Sequence, residues 1–177
     1  NALALNDAAA EAGGKLKIHV KLDTGMNRVG FSAREDDADD TATKIEELSK
    51  CKGLELCGIF THFSSADDEL MDGKIVEGYE DCGGYTRMQL NRFTSMVDKL
   101  RARGVDTGMV HAANSAAILT LPEAYFDAVR AGIILYGLMP NGKCDERFKP
   151  AMCFVSTVTH IHEIKAGKKV SYGAVFT

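Results

Sequence analysis

Between residues 16 and 23 apolar and polar positions alternate. Ile18, Val20 and Leu22 share one side of an extended chain, and His19, Lys21 and Asp23 share the other. This period of two predicts a β-strand with one face packed and one face polar. A helix is predicted before it, over residues 2–12, where Ala-rich helix formers run into a Gly-Gly stop. The segment DADDTATKIEELSKC reads as a second helix, acidic near its start and with Lys50 near its end. LELCGIFTHF reads as a second strand, and the polar stretch from Ser64 to Gly84 as a long loop. TRMQLNRFTSMVDKLRARG places Leu90, Phe93, Val97 and Leu100 on one helical face, with Gly104 as its stop. GMVHAANSA reads as a short third strand entering a helix, and FDAVRAGIILYGL as a fourth strand.

Strands that alternate with helices at this spacing predict a parallel sheet with helices outside it. From Cys144 the pattern changes. MCFVSTVTHIHEI, a Lys-Ala-Gly-Lys turn and KVSYGAVF read as strand, turn, strand. Residues 1–143 are therefore expected to form four consecutive β/α units, and residues 144–177 the start of a β-rich domain.

Composition narrows the function classes. The 177 residues are 45% hydrophobic and 26% charged, with a formal net charge of −4 and no basic stripe, which argues against nucleic acid as a partner. The apolar run near Ile133–Met139 is shorter than the roughly 20 residues of a membrane helix. The first residues do not form a secretory signal. Five cysteines without a C-x-x-C pair suggest reduced thiols and a cytoplasmic setting. The chain opens in mid-helix without Met and closes within a strand-like alternation, which reads as a fragment of a longer protein.

The polar residues fall at matching places. His19, Lys21 and Asp23 share one strand face, His62 ends the second strand, His111 and Asn114 end the third, and Arg130 sits in the fourth. In a closed β/α barrel such groups gather at the C-terminal ends of the strands. An open, doubly wound sheet with the same residues on its crest is the competing arrangement.

KLDTGMNRVGF, GIFTHFSSAD, HAANSAAIL, VRAGIILYGLMP and VSYGAVFT, in this order, resemble the alanine racemase family. The resemblance implies half of a (β/α)8 TIM barrel followed by the start of a C-terminal β-domain. It implies pyridoxal 5'-phosphate as cofactor, alanine as substrate, a homodimer and a cytoplasmic role in supplying D-alanine for peptidoglycan. The family's cofactor-binding lysine lies in an early strand motif that this chain does not contain, so the isolated chain is expected to be inactive.

The resemblance also assigns roles. It implies that Lys21 is carbamylated and holds Arg28, which contacts the substrate carboxylate. It implies that Arg130 faces the pyridine nitrogen, and that Asn114, Ser115, Gly132 and Ile133 take part in cofactor binding, the last two through their backbone. It places His62 between Arg130 and Tyr172, and makes Tyr172 a catalytic base that reaches the partner subunit. Each position has an ordinary reading as well. Lys21 could pair with Asp23, Arg130 with Asp127, Asn114 and Ser115 could be helix caps, and Tyr172 a packed strand residue. Asn27 stands where the family often has Gly, and Asn tolerates a left-handed backbone. His160 and His162 share a strand face without a credible third ligand, so no metal site is expected. Other pyridoxal-phosphate racemases, for serine or basic amino acids, remain open, as does a non-catalytic carrier of the cofactor on a similar barrel. An unrelated barrel hydrolase would need paired carboxylates or a nucleophile motif.

Overall fold

The computed structural model describes residues 2–71, 73–74, 77–78, 84–143, 145–151 and 153–169. In chain order the elements are α1 (Ala2–Glu11), β1 (Leu16–Asp23), β2 (Phe31–Ser32), α2 (Ala38–Ser49), β3 (Leu54–Phe60), α3 (Ala66–Met71), α4 (Tyr85–Ala102), β4 (Met109–His111) and α5 (Ser115–Thr120). The sheet order is β2-β1-β3-β4, and every pairing is parallel.

The apolar half of the strand alternation makes the core. Val20, Leu22, Ile59 and Val110 point to one side and join Ala42 and Ile45 of α2 and Phe93, Met96, Val97 and Leu100 of α4 in one buried cluster. Spacing of three and four residues puts the helical members on a single face. The opposite sheet face carries His19, Lys21 and His111. One face thus meets helices while the other bears polar side chains, which is the arrangement of a barrel wall rather than of a doubly wound sheet.

Three expectations are corrected. The stretch from Ser64 to Gly84 is not all loop, because Ala66–Met71 forms α3. Helix α4 starts at a glycine with no side-chain cap of its own. The buried Glu69 of α3 caps it from outside, accepting the backbone N–H groups of Tyr85 (2.7 Å) and Thr86 (2.5 Å). A six-residue helix whose purpose is to cap another has too little periodicity to read from sequence.

The expected fourth strand shrinks to one bridge, His111 to Ala128, flanked by hydrogen bonds from Asp127 N to Val110 O and from Arg130 N to Ala113 O. It stops at Gly132, whose φ of −121° and ψ of −100° leave the strand region, and Ile133–Tyr136 turns into a 3₁₀ helix. The third correction concerns residues 153–164, expected as a strand. Phe154, Val155, Val158, Ile161 and Ile164 supply the apolar and β-branched residues of a strand, yet all are exposed, and these residues form no strand. A strand needs a neighbour to take its N–H and C=O groups. The turn that follows is present, with Gly167 at φ +82° and Lys168 N bonded to Lys165 O. No described helix is long and apolar enough to cross a membrane.

The external cap is testable. Glu69→Ala removes the acceptor of the Tyr85 and Thr86 N–H groups, the latter buried, so the unfolding free energy should drop by about 1–3 kcal/mol in urea titration. Glu69→Gln, which keeps one acceptor oxygen, should lose less.

Candidate functional site at the C-terminal ends of the strands

The loop after β1 is organised by one carboxylate. Asp23 accepts N–H groups from Gly25 (3.0 Å), Asn27 (3.0 Å) and Arg28 (3.1 Å). This bends the chain back so that Phe31–Ser32 can pair beside Leu22–Asp23. Asn27 adopts φ +55°, the left-handed backbone expected of it. Gly25 has φ +147° and receives a 2.7 Å hydrogen bond from the Tyr85 hydroxyl to its carbonyl; a Cβ there would lie 2.6 Å from that hydroxyl. The loop is thereby fastened to the N-terminus of α4.

With its oxygens given to the loop, Asp23 forms no ion pair with Lys21 among the described residues. The Lys21 Nζ is shielded from solvent and makes no hydrogen bond. Burial, then the positive charges of Arg28 and Arg130, hold the Lys21 ammonium below the usual lysine range, with Asp23 offsetting part of this.

Arg130 is the centre of the site. Its Nη2 donates to the carbonyls of Thr61 (2.6 Å) and Ala112 (3.0 Å) and to His62 Nδ1 (3.2 Å). Its Nη1 donates to His111 Nδ1 (2.7 Å) and to the His111 carbonyl (3.2 Å). The suggested partner Asp127 is engaged elsewhere, accepting Val110 N–H at 2.8 Å. Burial lowers the Arg130 pKa, but a guanidinium stays charged at any working pH. Burial and this cation push the His62 and His111 imidazoles below the usual histidine range, His111 to about 4.

Beside this cluster lies a cavity of about 410 Å³. His62, Asn114, Ser115, Arg130, Gly132 and Ile133 all line it. Asn114 caps α5, its Oδ1 accepting Ala117 N–H at 3.1 Å. The Ser115 hydroxyl accepts Gly132 N–H at 2.9 Å, so a hydroxyl and a backbone donor meet at the cavity wall. Tyr172 lies outside the described residues. Arg28 is exposed, at the end of the β1 loop. His160 and His162 stack at 5.0 Å in an exposed segment, and among the described residues no three potential metal ligands cluster.

Two residues escaped assignment from sequence. The sequence puts His111 at a strand end without a role, yet its Nδ1 lies closer to Arg130 (2.7 Å) than that of His62 does (3.2 Å). Gln89 is fully buried and joins two strand ends. Its amide nitrogen donates to Thr24 Oγ1 and to the His62 carbonyl (both 3.2 Å), while its oxygen accepts Ser64 N–H at 3.0 Å. A glutamine on the apolar face of α4 was the available signal.

Residues 1–140 match the family described as "Alanine racemase, N-terminal domain". Alanine racemase 2 of Caldanaerobacter subterraneus subsp. tengcongensis is 40% identical over 174 residues, covering 97% of this chain and 41% of that protein. The alanine racemase of Desulforamulus reducens is 38% identical over 168 residues, covering 93% and 41%. Among solved structures, alanine racemase of Clostridium difficile 630 superposes with a TM-score of 0.75 at 35% identity, over 99% of this chain and 42% of that one. The chain spans about two fifths of the length of these relatives. Its parallel sheet, with helices outside and polar groups inside, is part of the same β/α barrel.

The depressed His111 pKa makes a stability prediction. Unfolded, this histidine takes up a proton near pH 6.5; folded, only near 4. Between those values the unfolded chain binds more protons, so stability rises with pH and is lost on acidification. The contribution is up to about 3 kcal/mol, at 1.36 kcal/mol per unit. Urea unfolding from pH 7 to 4 should therefore show a shallower acid slope for His111→Asn than for the natural sequence.

Proposed function

The chain belongs to the alanine racemase family, and we propose on that basis that it contributes most of a pyridoxal-phosphate site for interconverting L- and D-alanine. The observation that carries this reading is the single cavity on which His62, Arg130, Ser115 and Gly132 converge. The donor set suits the cofactor. The Ser115 hydroxyl and Gly132 N–H can receive a phosphate, and Arg130 offers a permanent cation to an unprotonated ring nitrogen. When bound, pyridoxal phosphate supplies an electron sink for the electron pair left on alanine Cα.

Arg28 binds the substrate carboxylate. Lys21 feels the Arg28 charge and has an unpartnered amine held below the usual lysine range, which supports carbamylation. The neutral amine adds to carbon dioxide, a C–N bond forms, and one proton leaves to solvent. The product is an anion that accepts hydrogen bonds from Arg28 and removes the repulsion between two cations. His62 holds its Nδ1 toward Arg130, which leaves Nε2–H to meet Tyr172 of a second subunit. Tyr172 then exchanges a proton with one face of Cα; a phenol's ordinary pKa is about 10, so this role requires neighbours that favour the phenolate. The second face belongs to a lysine outside these 177 residues. The active form is a homodimer, residues 144–177 begin the β-domain that carries Tyr172, and the product D-alanine serves cell-wall synthesis in the cytoplasm.

A racemisation assay tests this reading. The 177-residue chain alone should show no cofactor-dependent turnover, and turnover should appear when a polypeptide carrying the remaining barrel strands is added. Turnover by the chain alone would overturn the role of the outside lysine. In the active form Arg28→Ala should raise KM for alanine by about 10–100-fold, as for loss of a charged hydrogen bond. Carbon-13 NMR in labelled bicarbonate should show a carbamate resonance that Lys21→Ala abolishes.

A further inference from the structure

We propose that His19 and His111 form a tautomer relay that holds Arg130 from behind, making His19 a positioning residue two strands away from the guanidinium it controls. Its consequence for catalysis rests on the racemase reading above, but the relay itself does not.

A guanidinium has donors only. The 2.7 Å contact from Arg130 Nη1 therefore requires His111 Nδ1 to be bare. Buried beside that cation, His111 stays neutral down to about pH 4, so its one ring proton is on Nε2. A buried Nε2–H needs an acceptor. His19 Nδ1 lies 2.8 Å away and supplies it. His19 in turn carries its proton on Nε2. On the other side, His62 Nδ1 faces Arg130 Nη2 and is bare for the same reason. One arginine thus sets the protons of three imidazoles.

The fold makes room for this contact. His19 pairs with Gly58 of β3, and Gly58 pairs with Met109 of β4, so the His19 ring must cross β3 to reach β4. The β1–β3 register slips between Ile18 and His19, where β3 carries one extra residue. At the crossing point β3 has a glycine. A Cβ on Gly58 would lie 2.5 Å from His19 Cε1 and 2.6 Å from its Nδ1. The ring of Phe60 stacks on His111 within 1° of parallel, and Arg130 Cζ lies 5.2 Å from its centroid, which fixes the far end. Without His19, the Nε2–H that Arg130 requires loses its acceptor, and moving the proton to Nδ1 is what relieves that orphaned donor. The Nδ1–H tautomer would then set donor against donor at Arg130.

Nitrogen-15 NMR of the histidine side chains reads the tautomer directly. In the natural sequence His111 Nδ1 should resonate as a bare nitrogen and Nε2 as a protonated one. His19→Leu and Gly58→Ala should both move His111 Nδ1 toward the protonated range. His19→Asn should restore it, because the amide Oδ1 stands where Nδ1 stood. In the cofactor-loaded enzyme His19→Leu should lower kcat about tenfold with KM for alanine unchanged, as for one lost hydrogen bond, and His19→Asn should recover it. A protonated His111 Nδ1 in the natural sequence, or a spectrum unmoved by both His19→Leu and Gly58→Ala, would overturn the relay. Failure of the racemase reading would show separately, as an unsubstituted holoenzyme that does not turn over alanine while these spectra still decide the relay.

Discussion

The guanidinium of Arg130 is the interaction on which the site depends. It gathers carbonyls of Thr61, His111 and Ala112 from the ends of neighbouring strands and adds two imidazoles. Parallel strands leave such carbonyls unpaired where their ladder stops, and buried carbonyls require donors. One side chain with several fixed donors satisfies them together. The cost is a half-buried cation with no carboxylate partner among the described residues. That cost is spread over backbone dipoles and neutral histidines, whose neutrality the same cation enforces.

A second constraint acts at the other end of the site. Asp23 gives both oxygens to its own loop, and this deprives Lys21 of an obvious counter-ion. The unpaired amine is thus a consequence of how the loop is built. Glu69 fixes the start of α4, and Tyr85 on that helix clamps the Gly25 carbonyl. A chain of contacts from α3 through α4 therefore sets where Arg28 is presented. Gln89 performs the matching task for His62, tying its backbone to Thr24 across the strand ends.

The apolar periodicities of β1, α2, α4 and the β4–α5 corner were legible from sequence because each forms a regular face against one core. His62, Arg130, Ser115 and Gly132, singled out by motifs that resemble the family's, line one cavity. Helix α3 was not legible, since it is short and its function is to cap a distant helix. The two-residue β2 was not, since it is placed by the Asp23 loop rather than by its own alternation. Residues 153–164 show the converse: their β-branched and aromatic residues suit a strand, yet without a neighbouring strand they form none.

By itself, then, the sequence determined which faces are apolar, where helices stop, and which polar residues stand at strand ends, because these follow from local period and residue type. Only the tertiary structure decided who partners whom. It gave Asp127 to Val110 instead of Arg130, left Lys21 without a hydrogen bond, and carried His19 across Gly58 to His111. Partner choice depends on register, a bulge and the absence of one Cβ. These are properties of packed strands that no single segment of the chain encodes.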